Sequence, residues 1–192
     1  NYLVFFPSFK YLKSVHEKLK KQPLSSRLLI QEPNMNDRKR RYFLKKLQED
    51  NQNHLLLAVH GGVFSEGVDF VGDMAIGVFI VGPGLPAYTF EQELRKKYFE
   101  EKWHKGFEYA YRNPGMNKVI QAAGRVFRSE TDKGFVMLIG LRFETKFYSE
   151  VLPEDWKINS ENHPDDIIRD FWRGNQHFEI TNVTSLESLL ES

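Results

Sequence analysis

The sequence predicts an α/β fold, a mostly parallel sheet covered by helices on both faces. Short continuous apolar runs recur along the chain, the pattern of strands buried on both sides: Asn1 to Phe6, Arg27 to Gln31, Leu55 to Val59, Ala75 to Val81 and Gly134 to Gly140. The segments between them carry apolar residues at helical spacing, so strands and helices alternate. Apolar residues make up 41% of the 192, enough for one domain with a sizeable core plus an appendage.

Taken in order, the first run (NYLVFF) starts without a lead-in and reads as a strand cut from a longer polypeptide, with Asn1 not its natural start. Pro7 and Ser8 end it, and Phe9, Leu12, Val15 and Leu19 then recur at helical spacing up to Gln22-Pro23. Such units place their strand-to-helix loops at the carboxyl edge of a parallel sheet, where open α/β folds bind ligands. Asn36 caps a predicted helix from Asp37 to about Glu49, with Tyr42, Phe43 and Leu47 facing inward. Its basic run, Arg38-Lys39-Arg40-Arg41 with Lys45-Lys46, reads as a solvated face. The third strand ends at His60-Gly61-Gly62 and the fourth at Gly82-Pro83-Gly84. A long helix is predicted over roughly Phe90 to Arg112, broken by Asn113-Pro114-Gly115, and a further helix over Met116 to Phe127. Two units result: a domain over 1–156, and a polar C-terminal extension over 157–192 of short helices or partly ordered tail, with a small terminal helix over Thr184 to Ser192.

Composition excludes several classes. Cysteine is absent, so disulfides, thiolate nucleophiles and cysteine-ligated metals are excluded within this chain. The six histidines show no metal-ligand spacing, and no metal site is expected. The longest apolar run, about Met74 to Val81, is too short to span a bilayer, and no signal peptide precedes the first strand. The expectation is no membrane partner and a cytoplasmic address, meaning the prokaryotic cytoplasm or nucleoid, or the nucleus of a eukaryote. Net charge is only +1, so attraction to a polyanion must come from clusters.

Two stretches carry chemistry. In Gln121-Ala122-Ala123-Gly124-Arg125-Val126-Phe127-Arg128, helical spacing puts Gln121, Gly124, Arg125 and Arg128 on one face and Val119, Ala123 and Val126 on the other. Arginine suits a phosphate partner, because its planar fork makes paired hydrogen bonds and keeps its proton. In Ser65-Glu66-Gly67-Val68-Asp69-Phe70, Gly67 permits a positive φ or a close ligand, and Glu66 and Asp69 set two acceptors on a loop at the sheet's carboxyl edge.

The first stretch resembles motif VI of superfamily 2 helicases, and the second resembles motif V of the XPD/DinG-like branch. Val4-Phe5-Phe6-Pro7-Ser8 is similar to motif IV, and Thr131-Asp132-Lys133-Gly134, Gly84-Leu85-Pro86, Arg142-Phe143 and Leu152-Pro153…Trp156 are similar to further family segments. They occur in family order over residues 1 to 156. The resemblance implies the C-terminal (second) RecA-like motor domain, a P-loop-NTPase-type fold that lacks its own P-loop. No G-x-x-x-x-G-K-[ST] occurs here. ATP and Mg2+ would be held mainly by the first RecA-like domain of the same polypeptide, and this chain alone would be inactive. Any iron–sulfur cluster would lie elsewhere in the full-length protein.

Role by role, the resemblance implies Arg128 as arginine finger, Arg125 as a second phosphate or interdomain contact, and Gln121 as a group orienting the γ-phosphate or attacking water. Gly67 and Asp69 are expected near the nucleotide, with Glu66 linking the two motifs and Gly124 giving the ligand close access. Ser8 and Ser65 are expected on single-stranded DNA, as hydroxyl donors to phosphate. Phe9 and Phe64 are read as core in preference to base-stacking. Departures are Gly61 and Val63, where several relatives of the branch carry basic residues, and Gly140, where an acidic residue is common.

The reading is the C-terminal motor domain of an ATP-dependent DNA helicase. Alternatives are a nonmotor nucleic-acid-binding or regulatory module of the same fold, and an RNA-directed motor. The sequence carries no signal for oligomeric state.

Overall fold

The computed structural model describes residues 1–49, 52–125, 134–156, 158–160, 164–175 and 179–183. Its strands are β1 (Tyr2–Phe6), β2 (Arg27–Ile30), β3 (His54–Val59), β4 (Gly77–Val81), β5 (Phe135–Ile139), β6 (Ile158–Ser160) and β7 (Glu179–Val183). They form one sheet in the order β2-β3-β1-β4-β5-β7-β6, and every pairing is parallel. All carboxyl ends therefore share one edge. The helices are α1 (Phe9–Leu19), α2 (Asp37–Gln48), α3 (Phe90–Trp103), α4 (Asn113–Ala123), α5 (Lys146–Ser149) and α6 (Pro164–Asp170).

Alternation along the strands divides the core in two. On one face Leu3, Phe5, Leu56, Ala58, Val78, Ile80, Val136 and Leu138 pack against Phe43 and Leu47 of α2 and Met116, Val119, Ala122 and Ala123 of α4. On the other, Val4, Phe6, Leu57, Val59, Val81, Met137 and Ile139 meet Leu12, Val15 and Leu19 of α1, together with Phe171. Both faces are covered, as the apolar runs required. The Asn36 cap agrees with the sequence, its side chain accepting from the Lys39 amide at 2.9 Å, and Ser8, read as the end of the first strand, also caps α1, its hydroxyl accepting from the Tyr11 amide at 3.2 Å. Tyr42 differs from expectation. It is 54% exposed, with Lys46 over its ring at 5.8 Å, because Phe43 and Leu47 already fill the inward stripe of α2. The basic residues pair locally with acids, Lys39 with Glu32 at 2.6 Å and Lys46 with Glu49 at 2.7 Å.

The long-helix expectation also needs correction. The break falls at His104, which takes a left-handed conformation (φ 54°, ψ 34°), and helix then runs over 106–123 straight through Pro114. A proline inside an α-helix lacks the amide that would bond the carbonyl four residues back. Here a π turn over Glu108–Arg112 precedes it, with the Asn113 amide donating to Glu108 five residues back. The Ala110 carbonyl, which Pro114 cannot serve, accepts from the Gln92 side-chain amide of α3. Tyr111 adds a hydroxyl bond to Glu93 at 2.6 Å. Thus α3, without a buried residue of its own, braces the helix that leads to α4.

The stretch over 157–192, read as short helices or tail, supplies α6 and also β6 and β7, with β7 pairing along the whole of β5. The terminal helix expected over Thr184 to Ser192 lies outside the described residues.

Replacing Gln92 with leucine leaves the Ala110 carbonyl without its donor. The expected cost is about 1 kcal/mol, read as a lower denaturant midpoint with an unchanged slope.

Candidate functional site

The site is built on the carboxyl edge, beginning where β2 and β3 end. The Gln31 amide donates to the Leu57 carbonyl at 2.9 Å, and its buried side-chain oxygen accepts from the Val59 amide at 3.1 Å, so the side chain closes the last rung of the ladder. Gly62 presses against that side chain, and a Cβ there would collide with its amide. The chain then turns: the His60 amide donates to Phe6 at 3.0 Å, and the Ser65 amide and hydroxyl both donate to the Gly62 carbonyl at 3.0 Å.

The loop that follows sorts its residues by polarity. Phe64, Val68 and Phe70 are buried, and Phe64 stacks on Phe43 with centroids 5.9 Å apart. Glu66, Gly67 and Asp69 stay exposed at the crest. Gly67 has φ 64°, the conformation its residue type anticipated. Ser65, expected to donate to a DNA phosphate, is 2% exposed with its hydroxyl spent inside the turn. Ser8 is exposed, and its capping role uses a lone pair, which leaves the hydroxyl proton as a donor.

Helix α4 presents Gln121 and Gly124 outward while Val119, Ala122 and Ala123 pack inward, so the face assignment agrees with the helical spacing. It ends at Ala123 with Gly124 as its C-cap, and the expected end at Phe127 lies outside the described residues. Arg125 reaches back over the acidic loop. Its Nε–H donates to the Ser65 carbonyl at 3.2 Å and one terminal N–H group to the Val68 carbonyl at 3.0 Å, with the Asp69 carboxylate 3.9 Å away. The guanidinium read as a phosphate or interdomain contact is thus occupied in holding the loop. Asp69 supplies the acidic partner where Glu66 was expected to link the motifs. Arg128 and Thr131 to Lys133 lie outside the described residues.

Two residues on this edge were not singled out for binding. His60 stacks on Phe5 at 6.1 Å, with Nε2 3.2 Å from the Gly82 carbonyl and Nδ1 buried without a partner. Burial, chiefly, pushes its pKa from 6.5 down to about 4; the bond to Gly82 works against the shift and the Lys118 charge adds to it. Lys118 is the second, its ammonium lying 3.4 Å from the point a Cβ on Gly61 would occupy. A cation therefore stands beside Gly61 although that position carries none. Its spacing, three residues before Gln121 and seven before Arg125, is the signal that places it on the same helix face. Among the described residues no group of three His, Cys, Asp or Glu could hold a metal, and no helix is long and apolar enough to cross a membrane.

The sequence model of the family described as "Helicase C-terminal domain" matches residues 1–159. ATP-dependent DNA helicase CHL1 of Candida albicans is 29% identical over 163 residues, covering 74% of this chain and 19% of that protein. The 3'-5' exonuclease DinG of Bacillus subtilis is 30% identical over 154 residues, covering 78% of this chain and 16% of its own length. The chain thus spans about a fifth of the curated relatives it matches. Among solved structures, "XPD_APO" superposes with a TM-score of 0.62 at 22% identity, covering 78% of this chain and 30% of the other, a likeness of fold.

Two outcomes follow from this geometry. Arg125→Ala removes both charge-assisted bonds and is expected to cost about 3 kcal/mol or more, with faster proteolysis at the Ser65–Phe70 loop; Arg125→Lys, lacking the fork, recovers less than half. For His60, the unfolded chain takes up the proton first because its pKa is the higher. Stability present above pH 6.5 is therefore lost as the pH falls toward about 4, by up to ~3 kcal/mol. Melting temperatures across that window should fall in the parent and flatten in His60→Asn.

Proposed function

We infer that this chain, which belongs to the helicase C-terminal domain family, is the second RecA-like motor domain of an ATP-dependent DNA helicase moving on single-stranded DNA. The observation that carries this reading is the Arg125 latch. Two segments 60 residues apart, the arginine-bearing helix and the acidic loop, are tied by one guanidinium at the edge where open α/β sheets receive ligands. A motor needs such coupling: whatever moves the helix when nucleotide is bound or hydrolysed also moves the loop.

In this mechanism the first domain of the same polypeptide holds ATP and Mg2+, and the present chain closes on the γ-phosphate from the other side. Arg128, three residues beyond Arg125, supplies positive charge as charge develops in the transition state. Gln121, outward on α4, orients the γ-phosphate or the attacking water. Gly124 and Gly67 leave the backbone open to the nucleotide, while Asp69 holds Arg125 and Glu66 faces solvent beside it. Arg125 positions the loop. The Ser65 and Val68 carbonyls take two of its five N–H donors, which leaves the others for a phosphate or the first domain. Ser8, at the end of β1, is the hydroxyl placed to meet the strand; Ser65 would do so only after its turn opens. DNA as substrate makes the nucleoid or nucleus the expected address.

In the full-length protein, Arg128→Ala should lower the rate of strand-stimulated ATP hydrolysis about a thousandfold or more while oligonucleotide binding is retained. Turnover near the parent's rate would refute the finger role.

A further inference from the structure

Lys118 has no part in the latch, yet the fold makes room for it twice. Its stem passes Gly84, where a Cβ would stand 3.1 Å from Cδ and 2.9 Å from the His60 side chain. Its ammonium ends beside Gly61, where a Cβ would be 3.4 Å from Nζ and 3.9 Å from a Glu66 carboxylate oxygen. Gly61 and Gly84 belong to the loops that follow β3 and β4, the two strands flanking β1 in the sheet. The ammonium therefore stands over the carboxyl end of β1. There α1 departs to one face while α2 and α4 cover the other, the switch-point crevice of an open α/β sheet. Among the described residues no carboxylate lies within 4.0 Å of it, whereas Arg125 on the same helix face is already engaged with Ser65, Val68 and Asp69.

An ammonium is a compact point charge with three donors, suited to a phosphate oxygen approached from many directions. The bare glycine backbones beside it let such a group come close. Two phosphates could be its partner, one in the nucleotide and one in the strand. Lys118 lies seven residues from Arg125, about 10 Å along the helix and away from the arginine end. It also shares the β1 end with the loop that carries Ser8. We propose that Lys118 binds a backbone phosphate of single-stranded DNA where the strand crosses the carboxyl end of β1. The assignment rests on the motor reading above and adds to it a strand contact on the helix that leads to Arg125.

The test uses the full-length protein and a fluorescein-labelled oligo(dT). Lys118→Ala should weaken binding about fivefold at moderate salt and lower the slope of log Kd against log salt by about 0.7, the share of one contact on a single strand. Lys118→Arg should restore the slope, and the KM for ATP should stay within about twofold of the parent's. Matched melting curves for parent, Lys118→Ala and Lys118→Gln separate a lost contact from a folding defect. Unchanged affinity and slope in both neutral variants overturn the assignment. So does a raised KM for ATP with unchanged strand binding, which gives the ammonium to the nucleotide. A parent protein that neither binds oligo(dT) nor hydrolyses ATP in response to it overturns the motor reading as well.

Discussion

The site depends on one guanidinium placed over two backbone carbonyls. Arg125 donates to Ser65 and Val68, with Asp69 nearby and only 17% of the side chain exposed. Charge-assisted bonds to carbonyls so withdrawn from water are among the stronger single contacts a small domain has, about 1.5–3 kcal/mol each. They also select arginine over lysine, since the two carbonyls need a fork whose arms point in fixed directions. Through this contact the end of α4 and the crest of the acidic loop become one body, and the position of Gly67, Glu66 and Asp69 is set by a helix far along the chain.

That contact in turn requires α4 to stand at a definite height over the sheet. The π turn over Glu108–Arg112 and the Gln92 bond to Ala110 carry the helix past Pro114 without a break, and Met116, Val119, Ala122 and Ala123 then seat it on β4 and β5. From the other side, Gln31 closes the β2–β3 ladder and Gly62 lies against it, fixing where the loop after β3 begins. The edge is therefore pinned from both directions, while its crest stays open to solvent. Rigid supports with an exposed crest suit a surface that must receive a ligand and a second domain.

The same edge separates its cations by task. Arg125 holds the loop, and Lys118 projects beside Gly61 over the end of β1. The two basic residues at positions 118 and 125 of one segment thus read alike in sequence but meet different surroundings. His60 lies beside the Lys118 stem as a neutral, buried ring, its protonation opposed mainly by burial.

The sequence by itself determined the layer class, the five strands through Ile139, the cap at Asn36, the inward stripe of α4 and the freedom of Gly67 to take the positive φ it has. Each depends on local periodicity or on a conformational demand peculiar to a residue type. The family was legible too, because its motifs are short contiguous runs. Tertiary structure alone decided that Pro114 would sit inside a helix, since its rescue comes from Gln92, 22 residues earlier. It decided that Ser65 would turn inward, that Arg125 would be held by carbonyls, that Tyr42 would face water, and that the chain beyond 157 would add β6 and β7 to the sheet. For Pro114, Arg125 and the added strands the deciding partner is remote in sequence, whereas Ser65 turns onto nearby Gly62 and Tyr42 yields the inward stripe to Phe43 and Leu47 of its own helix. Periodicity records which face of an element is apolar, but it does not record which polar group from another element will be waiting there.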